Sequence, residues 1–128
     1  MSIEVAVLVD KNHQPLFWLP GFSGEVPDSS ALWNCIWRNR DDILGVAHSH
    51  PGSGRPTASL IDVTTFSAIE RGLGRRLTWW ITSSDSWVQL QWYGPEDIVY
   101  CSSIPTIPEP EWLLKLREMS YKQEVTNE

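Results

Sequence analysis

The residues of this sequence that are best suited to chemistry are His48, His50 and Asp62. The two histidines lie two positions apart in a His-Ser-His-Pro segment, so in a β-strand both imidazoles would point to the same side. Two imidazole nitrogens and one carboxylate oxygen make three ligands. A catalytic zinc site uses three protein ligands and leaves the fourth position to water. The sequence therefore predicts a zinc site at these three residues.

The segments around these residues should position them on neighbouring elements. The apolar run at 42–47 predicts a buried strand that leads into the histidines, and the Pro and Gly residues of 51–54 predict a loop. Apolar residues then recur at spacings of three, which predicts a helix over about 59–71. Asp62 would lie in the first turn of that helix, from which its side chain can reach back to the histidines.

Each part of this pattern has a simpler explanation when it is taken alone. Ser59 and Asp62 have the spacing of a capping box, although Glu or Gln is the usual partner, and such a box would stabilise only the helix start. An isolated His-x-His pair is also common. The combination of a strand, His-x-His-Pro, a glycine-containing loop and Ser-x-x-Asp on a helix is what favours metal binding.

The composition excludes several other classes of function. The chain has 128 residues, enough for one domain with a substantial core, and a net charge of −6. An acidic chain lacks the basic face that a nucleic-acid-binding protein needs, so no nucleic-acid partner is expected. No segment has the length of a membrane span and no signal peptide is recognised, so we expect a cytoplasmic protein without a membrane partner. Two cysteines cannot form a disulfide framework.

Hydrophobic patterns and turn residues elsewhere predict a succession of strands and helices. The further strands are expected at 3–10, 15–19, 77–82, 87–93 and 98–102, and the further helices at about 28–40 and 111–123. Three prolines at 104–110 predict a stiff connector before the last helix. The result is an α/β fold in which helices flank a curved, mixed β-sheet, with the zinc where a strand meets a helix.

The pattern resembles the JAMM motif of the MPN+ (JAB-domain) zinc metalloproteases, in which an upstream Glu precedes His-x-His-Pro, a short loop and Ser-x-x-Asp. The resemblance implies a catalytic domain at 1–103 with the cytidine-deaminase-like MPN/JAB fold. Residues 104–128 would add a connector and a C-terminal helix that packs on the same domain. The sequence departs from the family pattern in one respect, because the loop between His50 and Ser59 is one residue longer than usual. Thr57 is therefore the alternative source of the hydroxyl group.

The resemblance also implies a catalytic base among the upstream carboxylates. Glu4 stands at the head of the first predicted strand and precedes His48 by 44 positions, which fits the family's spacing. A Glu at a strand end is more often solvated than catalytic, and Glu25, in a Gly-, Ser- and Pro-rich loop, is the second candidate. The implied mechanism is metal-assisted hydrolysis, with Glu4 as base and then acid and Ser59 as hydrogen-bond donor to the oxyanion.

The substrate implied by the resemblance is a ubiquitin-like protein or its conjugate, cleaved after its C-terminal Gly by a deubiquitinase-like isopeptidase or peptidase. The short chain without long insertions is similar to stand-alone prokaryotic members of the family. Such members often accompany E1-like and E2-like proteins in bacterial conjugation pathways, and some of these pathways are used in antiviral defence. The processing of a sulfur-carrier protein is equally compatible with the site. Two alternatives stay open: a non-catalytic MPN scaffold that binds partners, and a zinc peptidase that acts on other short peptides.

Overall fold

The computed structural model describes residues 4–20, 29–92 and 100–121. Within these ranges strands and helices succeed one another along the chain, and the mixed α/β class predicted from the sequence is confirmed. The elements are β1 (Val5–Asp10), β2 (Pro15–Pro20), α1 (Ser29–Arg38), β3 (Ile43–Ser49), α2 (Leu60–Leu73), β4 (Thr78–Thr82), β5 (Trp87–Trp92), β6 (Tyr100–Ser103) and α3 (Glu111–Tyr121).

The described strands form one mixed sheet in the order β2-β1-β3-β4-β5-β6. Strands β3 and β4 are parallel, and the other neighbouring pairs are antiparallel. A parallel pair cannot be joined by a tight hairpin, so the chain must cross over between the two strands, and α2 provides this crossover. The strand order places β3 in the interior of the sheet. Its carboxyl end lies beside the connection that leads to α2.

The helices cover the two faces of the sheet, and each face has its own apolar core. Helices α1 and α2 pack on the face to which Ala6 and Leu8 of β1 point, and α3 packs on the face to which Val5, Val7 and Val9 point. This division follows from the alternation of side chains along β1. The core on the α3 face contains three tryptophans, Trp80, Trp87 and Trp112.

Strands β3 and β4 approach each other closely at Gly45. This residue pairs with Thr78, and a Cβ atom added to Gly45 would lie 1.8 Å from the Thr78 carbonyl oxygen. Only glycine fits such an approach, since even an alanine methyl group would push the strands apart. The contact fixes the register that places His48 beside Ile81.

Helix α2 begins where the sequence predicts, with Ser59 as N-cap, and it continues to Leu73, slightly beyond the predicted end. Gly74 follows in the left-handed conformation (φ 78°) and caps the carbonyl of Glu70 through its amide. The structure differs from the expected apolar stripe at Leu60, which is 82% exposed because it occupies the first helical position on the outer side. Among the described residues, no helix combines the length and the apolar character needed to cross a membrane.

Candidate metal centre

The structure brings His48, His50 and Asp62 together at the carboxyl end of β3. His48 is in the strand and 5% exposed, and it points to the same face as Val46, towards α2. His50 follows directly after the strand, where its amide donates to the Thr82 carbonyl at 2.8 Å. Asp62 is 3% exposed and occupies the third position of α2. Strand alternation and the first helical turn thus produce the arrangement that the sequence predicted.

The ligand atoms of the three residues lie close to one another. The Nε2 atoms of the histidines are 3.1 Å apart, His50 Nε2 is 3.0 Å from Asp62 Oδ2, and His48 Nε2 is 3.3 Å from Asp62 Oδ1. With zinc bonds of about 2.0–2.1 Å in a tetrahedron, ligand atoms lie roughly 3.3–3.4 Å apart. The observed separations agree to within a few tenths of an ångström, so the three side chains could hold one metal ion.

Hydrogen bonds alone do not account for this triangle of contacts. If both histidines carried a proton on Nε2 and donated to Asp62, two N–H groups would face each other across 3.1 Å. If His48 gave up that proton to accept from His50, its lone pair would face a carboxylate oxygen at 3.3 Å. A cation at the centre removes the conflict, because it attracts all three lone pairs at once.

The carboxyl group of Asp62 is held in its ionised form. Burial of the side chain opposes ionisation, but its close contacts with His48 and His50 and the hydrogen bond from the Ser59 amide together hold its pKa well below the usual range. A carboxylate must be deprotonated to bind a metal, so the lowered pKa suits Asp62 to the role of an anionic ligand.

The donor set limits which metals suit the site. Two imidazoles and one carboxylate are a common ligand set for catalytic zinc, and the same set with open positions holds Fe(II) in non-haem oxygenases. The side chain of His50 is 20% exposed, so the triad can be reached from solvent on that side. Among the described residues, this is the group of His, Cys, Asp and Glu side chains that meets the geometric requirement for an ion.

Glu4, the predicted base, is buried next to the first residue of β1. Ala6 pairs with His48 in the antiparallel ladder, and continuing this register by two residues sets Glu4 opposite His50. Since side chains alternate, Glu4 shares the face of Ala6 and His48, which is the face of the triad. Glu25, the second candidate, lies outside the described residues.

The two candidate hydroxyl groups differ in their surroundings. Ser59 caps α2, accepts a hydrogen bond from the Asp62 amide at 3.0 Å, and is adjacent to the triad through Asp62. Thr57 precedes the helix and is exposed. Of the two hydroxyl groups, that of Ser59 is therefore the one linked to the triad, by its hydrogen bond with the Asp62 amide.

The loop after His50 is fixed to the turn between β4 and β5. The Gly52 carbonyl accepts from the Ser84 amide at 3.0 Å, and the Gly54 amide donates to Asp85 Oδ1 at 2.8 Å. Both glycines have positive φ, 92° and 84°, a conformation that other residues rarely adopt. The glycine content of the loop is thus explained by the backbone path that carries the chain from the triad to the turn.

The sequence did not indicate the residues that support the triad from the opposite face of β3. Ser120 bonds to Ser49, which lies between the histidines, and Tyr121 bonds to the His50 carbonyl; each pair is 71 residues apart along the chain. No local pattern could have indicated that contact. Glu70 was also missed, although its position four residues after Phe66, on the apolar side of α2, is a signal for a buried carboxylate.

No family model and no curated protein matches this chain.

Proposed function

We propose that this protein is a zinc-dependent peptidase of the JAMM/MPN+ type, which hydrolyses the bond after the C-terminal Gly of a ubiquitin-like protein. The observation that carries the proposal is the convergence of His48, His50 and Asp62, whose facing atoms are 3.0–3.3 Å apart. The order of elements supports it, since the histidines end an interior strand and the carboxylate begins the next helix.

The residues around the triad have the types that hydrolysis of an amide needs. A zinc ion held by the three ligands would act as a Lewis acid and lower the pKa of water by several units. The carboxylate of Glu4, on the same face, would take a proton from the attacking water and return it to the leaving nitrogen. The hydroxyl group of Ser59 would donate a hydrogen bond to the developing oxyanion.

These neighbours are the reason to favour hydrolysis over the redox chemistry that the same ligand set supports with iron. An oxygenase site needs open metal positions for oxygen and substrate. It does not need a carboxylate base or a hydroxyl group that donates to an oxyanion. Glu4 is buried, and the register of β1 and β3 places it on the same face as the triad. We therefore assign zinc as the resident metal, with about one ion per chain.

The proposed substrate class follows from the resemblance and from the accessible side of the site. A chain that ends in Gly-Gly has no side chains to clash as it passes the loop at 51–58, and a folded body would have to dock away from the metal. Two large apolar side chains, Leu60 and Ile61, are exposed at the start of α2 beside Asp62 and are available to contact such a body. Binding energy from this remote contact raises the rate only if it helps to place the scissile carbonyl.

The test uses the purified full chain with its metal content determined by elemental analysis. Its substrates are ubiquitin-like proteins that end in Gly-Gly, each fused through that Gly to a reporter peptide, and the isolated tail peptides with the same reporter. We expect zinc at about one ion per chain and a higher kcat/KM on at least one fusion than on its tail peptide. His48→Ala provides the inactive control.

The other outcomes assign other functions. Equal kcat/KM on fusion and tail peptide would replace the proposal with a zinc peptidase that acts on short peptides. A zinc-loaded protein that binds the fusions without cleaving them would be a scaffold of the non-catalytic MPN kind. Iron instead of zinc, or no transition metal at all, would overturn the proposed chemistry.

A further inference from the structure

The strand that carries the histidines is held from its other face by the last turn of α3. Ser49 lies between the two histidines, and its side chain points away from them into the core beneath α3. The Ser49 hydroxyl accepts from the Val5 amide at 3.0 Å and is hydrogen-bonded to the Ser120 hydroxyl at 2.7 Å. Both serines are fully buried, so these bonds are shielded from water.

The backbone of His50 is held on both sides, although this residue lies beyond the end of β3. Its amide donates to the Thr82 carbonyl at 2.8 Å, and its carbonyl accepts from the Tyr121 hydroxyl. The same hydroxyl lies 3.2 Å from the Thr82 carbonyl oxygen. Tyr121 therefore contacts both His50 and Thr82. The pairing of these two residues sets the backbone position of His50 and hence the position of its imidazole.

We infer that Ser120 and Tyr121 are positioning residues for the metal ligands. They touch neither the ligand atoms nor the face on which a substrate would lie, and they act through the backbone of His50 and the side chain of Ser49. Groups that orient metal ligands in this indirect way commonly change metal affinity about 10- to 100-fold when they are removed. The inference rests on the proposed function only in requiring that the triad bind a metal.

The main test is the zinc dissociation constant of Tyr121→Phe, measured by competition with a chromophoric chelator. We expect about 10-fold weaker binding than in the wild type. The visible spectrum of the Co(II)-substituted protein gives a second readout, because its d–d bands report the geometry of the ligands. A shift of these bands in Tyr121→Phe is expected, since the imidazole of His50 would no longer be held in one place.

Tyr100→Phe is the matched control. It also removes one tyrosine hydroxyl, which here donates to Glu70 Oε1 at 2.6 Å, with no bond to the backbone of a ligand residue. A general loss of stability would appear in both variants as a lower Tm of the metal-free protein. Only the positioning role predicts that zinc affinity and the Co(II) spectrum change in Tyr121→Phe and stay at wild-type values in Tyr100→Phe.

Ser120→Ala serves as the second variant if Tyr121→Phe does not fold. It removes the bond to Ser49 and should weaken zinc binding in the same direction, with the Val5 bond to Ser49 retained. Wild-type zinc affinity in every folded variant would overturn this inference and leave the proposed function standing. A wild-type protein that binds no metal at the triad would overturn both.

Discussion

Ser59 and Asp62 hold each other at the start of α2 through two reciprocal hydrogen bonds. The Ser59 amide donates to Asp62 Oδ2 at 2.9 Å, and the Asp62 amide donates to the Ser59 hydroxyl at 3.0 Å. The simpler explanation of Ser-x-x-Asp as a capping box is therefore correct. It does not compete with metal binding, because the same Oδ2 lies 3.0 Å from His50 Nε2. The capping box instead fixes the carboxylate where it faces both histidines.

Replacement of Ser59 by alanine separates capping from catalysis. The hydroxyl accepts the Asp62 amide with a lone pair, so its proton remains available to an oxyanion. We expect Ser59→Ala to lower kcat about 100- to 1,000-fold, the usual effect of removing one oxyanion donor. Loss of the cap should lower the free energy of unfolding by only ~1 kcal/mol. Kinetics on a cleavable fusion and urea unfolding measure these two quantities, and zinc analysis checks that the variant keeps its metal.

Thr57→Ala is the control for this prediction, since Thr57 is exposed and does not cap the helix. It should change neither kcat nor stability appreciably. An active Ser59→Ala protein together with an inactive Thr57→Ala protein would transfer the oxyanion role to Thr57.

The role of Glu4 is tested by replacing its carboxylate with the isosteric amide. A base lies outside the ligand shell, so Glu4→Gln should keep zinc at the wild-type level. Without a group that transfers the proton, kcat should fall by roughly 100- to 10,000-fold. Glu25→Gln is the matched comparison and should remain active. The reverse result, with Glu25→Gln inactive and Glu4→Gln active, would show that the base has been misassigned.

The sequence allowed the triad to be predicted because its geometry is local. His48 and His50 share a face by strand alternation, and Asp62 is brought back by one loop and one helical turn. The strand order and the support from Tyr121 could not be predicted in this way, since they depend on contacts between distant segments. The stacked pair Trp33 and Trp37 of α1 shows the same limit, because an i, i+4 spacing is typical of an apolar stripe on a helix, yet Trp37 is 44% exposed.

Metal binding by the triad can be tested without disturbing the start of α2. Asp62→Asn keeps an oxygen that can accept from the Ser59 amide, but it removes the negative charge that faces both histidines. We expect loss of most of the bound zinc in dialysed protein, with the helix content unchanged by circular dichroism. Asp85→Asn, a change to an exposed carboxylate in the nearby turn, should keep its zinc. Equal zinc in the two variants would exclude Asp62 as a ligand.

Tyr100, which is partly buried, and the buried Glu70 form a pair that links β6 to α2. The Tyr100 hydroxyl donates to Glu70 Oε1 at 2.6 Å, while Glu70 Oε2 accepts from the Leu77 amide and from Trp79 Nε1, both at 2.9 Å. Burial, followed by the hydrogen bond to Glu70 and the charge of Glu70, raises the pKa of the Tyr100 hydroxyl, and Arg76 opposes this only in part. The folded protein therefore keeps the Tyr100 proton at a pH at which the unfolded chain loses it.

This difference predicts how stability depends on alkaline pH. Below about pH 10, the ordinary pKa of tyrosine, Tyr100 is protonated in both states and its contribution to stability is fully present. Above that pH the unfolded chain binds fewer protons than the folded protein, so the contribution is progressively lost as pH rises towards the raised pKa. Tyr100→Phe should be less stable than the wild type at pH 8, and the difference in free energy of unfolding should shrink from about pH 10 upward. Urea unfolding of both proteins across this pH range measures the difference between their free energies of unfolding. The titratable groups that the two proteins share contribute equally to both and cancel in this difference. A constant gap would mean that Tyr100 ionises as readily in the folded protein as in the unfolded chain, and a widening gap would mean that it ionises more readily in the folded protein.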